Sequence, residues 1–294
     1  MLRNQLFIDF NQKLERNLFN ENILQIYDSI LNYINTQSNY KDEFWKSIWL
    51  KVISENNKVQ SMLLILINPE YPYHEELNQL SKQLNLTSFY YQFRRNKRKP
   101  DKSEDIFLYQ GKFRIYEMIS TFKFNLSPYS FCQANNKISN ILYQKITNLF
   151  KNEKYDNLVV YGRTASPISI MNSNHFKNVI CSIPCSIVYQ NMLLDLEENN
   201  IRNVKCRLEN KKDFNPNYYL KNYLLFLSPG YQGLPKSILN KIKKLKDKKI
   251  YFLYCNKNKL NKDMIYLKNF IKVVNQYDLK FNDNSYETII ICEI

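Results

Sequence analysis

The sequence predicts an α/β protein in two parts: an α+β first third, then a doubly wound, largely parallel sheet. Three observations predict it. Past Pro128, short apolar runs alternate with stretches of helical periodicity, the pattern of strands joined by crossover helices. Before it, strand-like runs arrive around turn residues and are interrupted by amphipathic helices. The chain has 294 residues, 44% of them hydrophobic, which is enough apolar material for two domains.

In chain order, residues 5–10 read as a strand. Residues 23–34 read as a helix, with Ile23, Ile26, Tyr27, Ile30, Leu31 and Ile34 at helical spacing. Residues 45–54 and 59–67 pair around the Asn56-Asn57 turn. The longest apolar run, residues 62–67, is strand-sized and far short of the roughly 20 residues that cross a bilayer, so no membrane partner is expected. A helix over 74–84 follows Pro72, and strands at 88–93 and 106–109 flank the basic segment RRNKRKPDKSED. A long amphipathic helix over 130–150 opens the second part. Strands follow at 158–161, 178–183, 204–208, 223–227, 250–254, 271–277 and 288–292, with helices at 186–199, 235–245 and 259–270 among them. The domain boundary falls at 125, giving domains 1–125 and 126–294. Open sheets of this kind bind ligands beyond the carboxyl ends of their strands, so the informative residues should follow strands.

The formal net charge is +15, from 42 Lys+Arg against 27 Asp+Glu. Such a surplus attracts polyanions, nucleic acid first and acidic membrane surfaces second. Part of it follows from a composition crowded with Asn, Lys, Ile and Tyr and holding only 4 Gly, so charge alone does not identify RNA. The six cysteines are scattered, with neither a disulfide framework nor zinc-ligand spacing; they point to free thiols in a reducing, intracellular compartment and to no metal. The basic N-terminus lacks the apolar segment of a secretory signal, while Asp9 and the early strand speak against a mitochondrial presequence. Composition does not separate cytoplasm from mitochondrion. His74 and His175 have no partner motif and receive no role.

Cys255, in FLYCNKNKL, lies between a strand and a helix, near Lys257 and Lys259, where a thiolate is stabilised; a structural thiol is the plainer reading of position alone. Glu287 leads into the terminal strand and gains interest only if the fold carries it to Cys255. SPGYQGL, residues 228–234, also follows a strand and holds Gly230 and Gly233; a tight turn explains it equally. Arg94, Arg95, Lys97, Arg98 and Lys99, beside Phe89, Tyr90, Tyr91 and Phe93, suit RNA phosphates with base stacking, or a solvated hairpin tip. The run KIKKLKDKK at 241–249 reads as a solvated helix face.

Taken together, these segments resemble the S-adenosylmethionine-dependent RNA uracil-5 methyltransferases. LSPYSFCQANN is similar to that family's Phe-x-Gln-x-Asn segment, SPGYQGL to its Asp-Pro-Pro-Arg-x-Gly-Leu, and YCNKNKLNKD to its Ser-Cys-Asn-Pro-x-Thr-Leu-x-x-Asp. DLKFNDNSYET matches Asp-x-Phe-Pro-x-Thr-x-His-x-Glu-Thr without gaps, and LRNQLFIDF and GKFRIYEMI resemble upstream family segments. The order and spacing carry the likeness from Leu2 to the end of the chain. It implies a Rossmann-like methyltransferase domain behind an N-terminal α+β RNA-binding domain. It also implies a cysteine that adds to C6 of a uracil in tRNA or rRNA, methyl transfer to C5, and a glutamate that removes the C5 proton. Cys255 and Glu287 fall on that nucleophile and base. Gln133 and Tyr161 fall on positions of the methyl-donor site.

The same comparison exposes departures in the donor site. The family's Asp/Glu-x-Tyr-Cys-Gly-x-Gly loop becomes VVYGRTASPISI, read with Val160 at the acid and Thr164 and Ser166 at the glycines. Ile183 stands where an acid should meet the donor's ribose, and Ser228 and Tyr231 replace the Asp and Arg of Asp-Pro-Pro-Arg. These departures point to a catalytically degenerate RNA-binding protein that holds no donor and acts structurally in a ribonucleoprotein such as a ribosome. Retained Cys255 and Glu287 point to the alternative, an active S-adenosylmethionine-dependent tRNA or rRNA methyltransferase, alone or with a partner subunit.

Overall fold

A computed structural model describes residues 2–40, 43–55, 58–94, 106–130, 133, 136–210, 213–216, 221–282 and 285–294. The chain divides into two compact units, Met1–Glu117 with Asn125–Asn136, and Met118–Phe124 with Lys137–Ile294. Residues 126–136, expected from the sequence in the second domain, belong to the first unit.

The first unit is a five-stranded sheet in the order β1 (Gln5–Asp9), β2 (Trp45–Glu55), β3 (Lys58–Ile67), β4 (Ser88–Phe93) and β5 (Ile106–Gly111). Only β3 and β4 run parallel, so their connection must cross over, and it does so through helix α2 (Tyr73–Gln83). The apolar run at 62–67 is the centre of β3 and is buried on both faces: Leu63, Ile65 and Ile67 meet one core, Met62, Leu64 and Leu66 another. Helix α1 (Glu21–Thr36) begins at Asn20, whose side chain accepts the Ile23 N–H at 2.9 Å. Its face of Ile23, Tyr27, Ile30, Tyr33 and Ile34 closes the first of those cores. Buried Glu76 of α2 ties the two helices: Oε2 accepts the Tyr33 hydroxyl and Oε1 the Asn39 N–H, each at 3.0 Å. The turn expected at Asn56-Asn57 lies outside the described residues, although the ladder runs to the Glu55–Lys58 pair.

A two-stranded ribbon, β6 (Ile115–Ile119) with β7 (Phe122–Leu126), carries the division between units and was not read as strands from the sequence. The second unit is a seven-stranded sheet. Its strands are β8 (Asn157–Gly162), β9 (Asn178–Ile183), β10 (Val204–Leu208), β11 (Tyr223–Ser228), β12 (Lys249–Tyr254), β13 (Lys272–Asn282) and β14 (Ser285–Glu293), ordered β10-β9-β8-β11-β12-β14-β13. The first five are parallel; β14 enters antiparallel between β12 and β13. Helices α3 (Asn136–Phe150), α4 (Ala165–Met171), α5 (Ser186–Glu198), α6 (Lys236–Ile242) and α7 (Lys257–Leu267) complete it. Residues of β8 and β11 alternate between two cores, Leu158, Val160, Leu224 and Phe226 on one face and Val159, Tyr161, Leu225 and Leu227 on the other. Doubly buried parallel strands read as the continuous apolar runs seen in the sequence. Helix α3 starts at Asn136, six residues later than expected; upstream, Ser130 closes a turn on Ser127 (N–H to O 3.0 Å) with Tyr129 at φ 63°. No helix among the described residues is long and apolar enough to cross a membrane.

Because the Glu76 carboxylate is the shared acceptor for the buried Tyr33 hydroxyl and the part-buried Asn39 N–H, Glu76→Ala is expected to destabilise the protein by roughly 2 kcal/mol in urea denaturation, with Glu76→Gln losing less.

Candidate functional site

The strand order reverses between β8 and β11, and ligands of open α/β sheets bind in the crevice beyond such a switch point. Gly162 ends β8 at φ 121°, paired with Ser228, the last residue of β11. A side chain at Gly162 would drive its Cβ into the Ser228 carbonyl, so only glycine fits. That carbonyl accepts the Arg163 N–H at 3.2 Å. The Arg163 side chain then crosses to β11's loop and lies on Gly230, at φ 72°: Cδ and Nε stand 2.9 and 3.2 Å from where a Gly230 Cβ would be. Gly230 therefore leaves room for the stem of Arg163, an exposed residue, over the loop that follows β11.

Cys255 follows β12 and is half-buried. The β12–β14 register ends with Tyr254 opposite Thr288, so Cys255 and Glu287 are the next residues along the two strands, and the Glu287 charge acts on the Cys255 thiol. Glu287 is itself buried. Burial first, then the Glu287 charge, raise the Cys255 thiol above its ordinary range, and Arg163 opposes them more weakly. At neutral pH the group is a protonated thiol.

Two residues of the YCNKNKLNKD match that received no role from the sequence brace this corner. Asn256 caps α7, accepting the Asn258 and Lys259 N–H groups at 3.1 and 3.2 Å, and its amide donates to the Tyr231 carbonyl at 3.2 Å. Buried Asp263 accepts the Tyr254 hydroxyl and the Leu234 N–H, both at 2.8 Å. Burial and that carboxylate push the Tyr254 phenol well up. The SPGYQGL loop is thus held at the Tyr231 carbonyl and at Leu234 by the N-cap and body of α7, while the Tyr231 side chain is 68% exposed.

The donor-site positions are otherwise filled by the protein itself. With Tyr161 on the motif's tyrosine, an ungapped reading puts Val159, Arg163 and Ala165 at the acid and glycines, one residue upstream of Val160, Thr164 and Ser166. Val159 and Val160 are both fully buried in the cores, so the acid is absent in either register. Tyr161 packs 4.5 Å from Phe214 between ring centroids, and burial lifts its phenol to about 12. The Thr164 hydroxyl is buried without a hydrogen-bond partner among the described residues. Ser166 donates to buried Asp195 at 3.1 Å. Ile183 is fully buried; the carboxylate beside it is Glu209, after β10, which accepts Ser182 at 2.8 Å and sits 3.7 Å from Arg207. In this family's sites a glycine loop gives the donor open backbone and an acid accepts from its ribose diol; here Arg163 stands on the loop and Ile183 at the acid.

The structure therefore brings together Cys255, Glu287, Ser228 and, unpredicted, Arg163. Gln133 is buried within Asn125–Asn136 of the first unit. Arg94, at the end of β4, holds Asp9 at 2.8 Å and Ser47 at 3.2 Å with its side chain 14% exposed, so its charge serves the first unit's own framework. Arg95, Lys97, Arg98 and Lys99 lie outside the described residues. Among those described, no group of His, Cys, Asp and Glu side chains could hold a metal ion, and five cysteines are free.

No protein-family model matches the chain. It is 26% identical over 240 residues to an uncharacterized RNA methyltransferase of Clostridium tetani, covering 78% of this chain and 52% of that protein. It is 24% identical over 187 residues to the uncharacterized RNA methyltransferase YwfF of Lactococcus lactis, covering 59% of this chain and 36% of that one. The chain thus spans about half or less of the length of these relatives. Among solved structures, the tRNA (uracil-54, C5)-methyltransferase of Pyrococcus abyssi, in complex with S-adenosyl-L-homocysteine, superposes with a TM-score of 0.77 at 16% identity, covering 99% of this chain and 75% of that one. The chain has a methyltransferase fold.

The charges around Cys255 set its reactivity in opposite directions. Glu287→Gln removes a charge that disfavours the thiolate and is expected to speed iodoacetamide alkylation of Cys255 at pH 8. Arg163→Ala is expected to slow it, both rates being read by peptide mass spectrometry at that residue.

Proposed function

We propose that this protein is an RNA-binding protein built on an RNA uracil-5 methyltransferase fold, catalytically degenerate, acting structurally in a ribonucleoprotein such as a ribosome. One observation carries the reading: Arg163, whose side chain lies across Gly230, stands on the loop where a bound donor would need open backbone. Buried Ile183, at the position of the ribose acid, adds to it. The net charge of +15 and the similarity to proteins named RNA methyltransferases support RNA, tRNA or rRNA, as the partner.

An active S-adenosylmethionine-dependent tRNA or rRNA uracil-5 methyltransferase is the second reading. It is favoured by the register that brings the Glu287 charge to act on Cys255, a pairing a purely structural protein has no need to keep.

Calorimetry of the purified protein with S-adenosylmethionine separates the two. The expected result is no measurable heat at physiological donor concentration. Each missing ribose hydrogen bond is worth roughly 1.5–3 kcal/mol when the acceptor is charged. A micromolar Kd, or methyl transfer to a uracil-containing RNA that disappears in Cys255→Ala, reinstates the enzyme.

Filter binding to RNA at several salt concentrations tests the partner. Affinity is expected to fall steeply with salt. Neutralising Arg95, Lys97, Arg98 and Lys99 together should flatten the slope of log K against log salt by about 0.7 for each single-strand phosphate that these cations no longer neutralise. A flat response in the unaltered protein overturns RNA binding.

A further inference from the structure

At the open end of the first unit's sheet, aromatic side chains collect on one face of the last two strands. Tyr91 and Phe93 are two apart on β4 and Phe107 and Tyr109 two apart on β5, so each pair projects to one side. Tyr91 and Phe107 are direct cross-strand partners, and their rings stack at 5.1 Å with planes 23° apart. Phe93 lies 5.8 Å from Phe107, and Tyr73, from the start of α2, lies 5.5 Å from Tyr91 and 5.2 Å from Phe93. Tyr73, Tyr91, Phe93 and Tyr109 pack half-buried against the rim of the core, and Phe107 is 39% exposed. Strand β5 ends the sheet, so no further strand of that sheet covers its outer edge.

The chain that joins these two strands is cationic. Between Phe93 and Ile106 it reads RRNKRKPDKSED, and Arg94, its first residue, is committed to Asp9. The remaining eleven residues carry Arg95, Lys97, Arg98, Lys99 and Lys102 against Asp101, Glu104 and Asp105. By connectivity this charge is tethered to the end of the aromatic strip at which β4 stops and β5 starts.

Exposed ring faces next to tethered positive charge complement a particular partner. A double helix hides its base faces in the stack; a single strand offers bases to the rings and phosphates to the cations. We propose that Tyr91, Phe93 and Phe107, with Tyr73 and Tyr109 behind them, form a stacking platform for unpaired bases of single-stranded RNA. The proposal rests on the RNA-binding reading above and narrows its partner to unpaired RNA.

Fluorescence anisotropy of the full chain with a labelled single-stranded, uridine-rich 12-nucleotide RNA, and with the same sequence as a duplex, tests it. Phe107→Leu keeps an apolar side chain at an exposed position and removes the ring face. It is expected to weaken single-strand binding about tenfold while leaving the salt slope unchanged. Phe107→Tyr should restore affinity to within about twofold. Tyr91→Leu is expected to act in the same direction, and circular dichroism checks that each variant is folded. No RNA binding by the unaltered protein overturns the RNA-binding reading itself. RNA binding that is unchanged in Phe107→Leu and Tyr91→Leu, or equally tight for duplex and single strand, overturns the platform alone.

Discussion

Strand β14 runs antiparallel into a sheet whose other inner strands are parallel, and its register against β12 decides which side chains meet. Six consecutive pairs, from Lys249 with Glu293 to Tyr254 with Thr288, lock it. Side chains alternate faces along a strand, so a slip of one residue would turn Glu287 away from Cys255 and bury a charge elsewhere. The slip is forbidden energetically by Ile289 and Ile291, which belong to the core on one face, and Ile290 and Cys292, which belong to the core on the other. Four apolar residues thereby position one carboxylate. The thiol's elevated pKa follows from this same arrangement, since Glu287 is brought close while both groups are withdrawn from water.

The crevice between β8 and β11 obeys a different constraint, the close approach of two backbones. Gly162 permits the approach to the Ser228 carbonyl, and Gly230 permits the passage of Arg163. Half of the chain's 4 glycines thus lie at one switch point, in a protein that otherwise uses glycine sparingly. The space left free of Cβ atoms there is taken by a guanidinium stem. Around it the corner is rigid: Asn256 and Asp263 tie the Ser228-to-Leu234 loop to β12 and α7 through hydrogen bonds of 2.8–3.2 Å. A loop anchored in this way holds Tyr231 outward and keeps Arg163 seated.

The first unit divides its aromatic and charged residues by depth. Phe89 on β4 is buried in the core, whereas Tyr91 and Phe93, further along the same face, open progressively toward the sheet's end. Arg94 is spent internally on Asp9 and Ser47, an ion pair at 2.8 Å joining β1, β2 and β4. The basic composition of the segment is thus not uniform in role: its first cation is structural.

Much of the architecture was legible in the sequence because it rests on local pattern. The alternation of apolar runs with helical periodicity placed every strand of the seven-stranded sheet, and the unbroken apolar stretch at 62–67 marked a strand buried on both faces. The motif order also pointed to Cys255 and Glu287, and strand-end positions pointed to Ser228. The ribbon β6–β7 escaped, and the start of α3 was placed too early, because helical periodicity does not mark where a helix begins. What the sequence could not contain was which distant residues share a corner. That Arg163 would cross to Gly230, that Asp263 would hold Tyr254 and Leu234, and that Arg94 would turn inward to Asp9 depend on interactions between segments far apart along the chain. Periodicity is a property of neighbours along the chain; side-chain pairing at a strand end is a property of register and packing, and only the folded sheet fixes those.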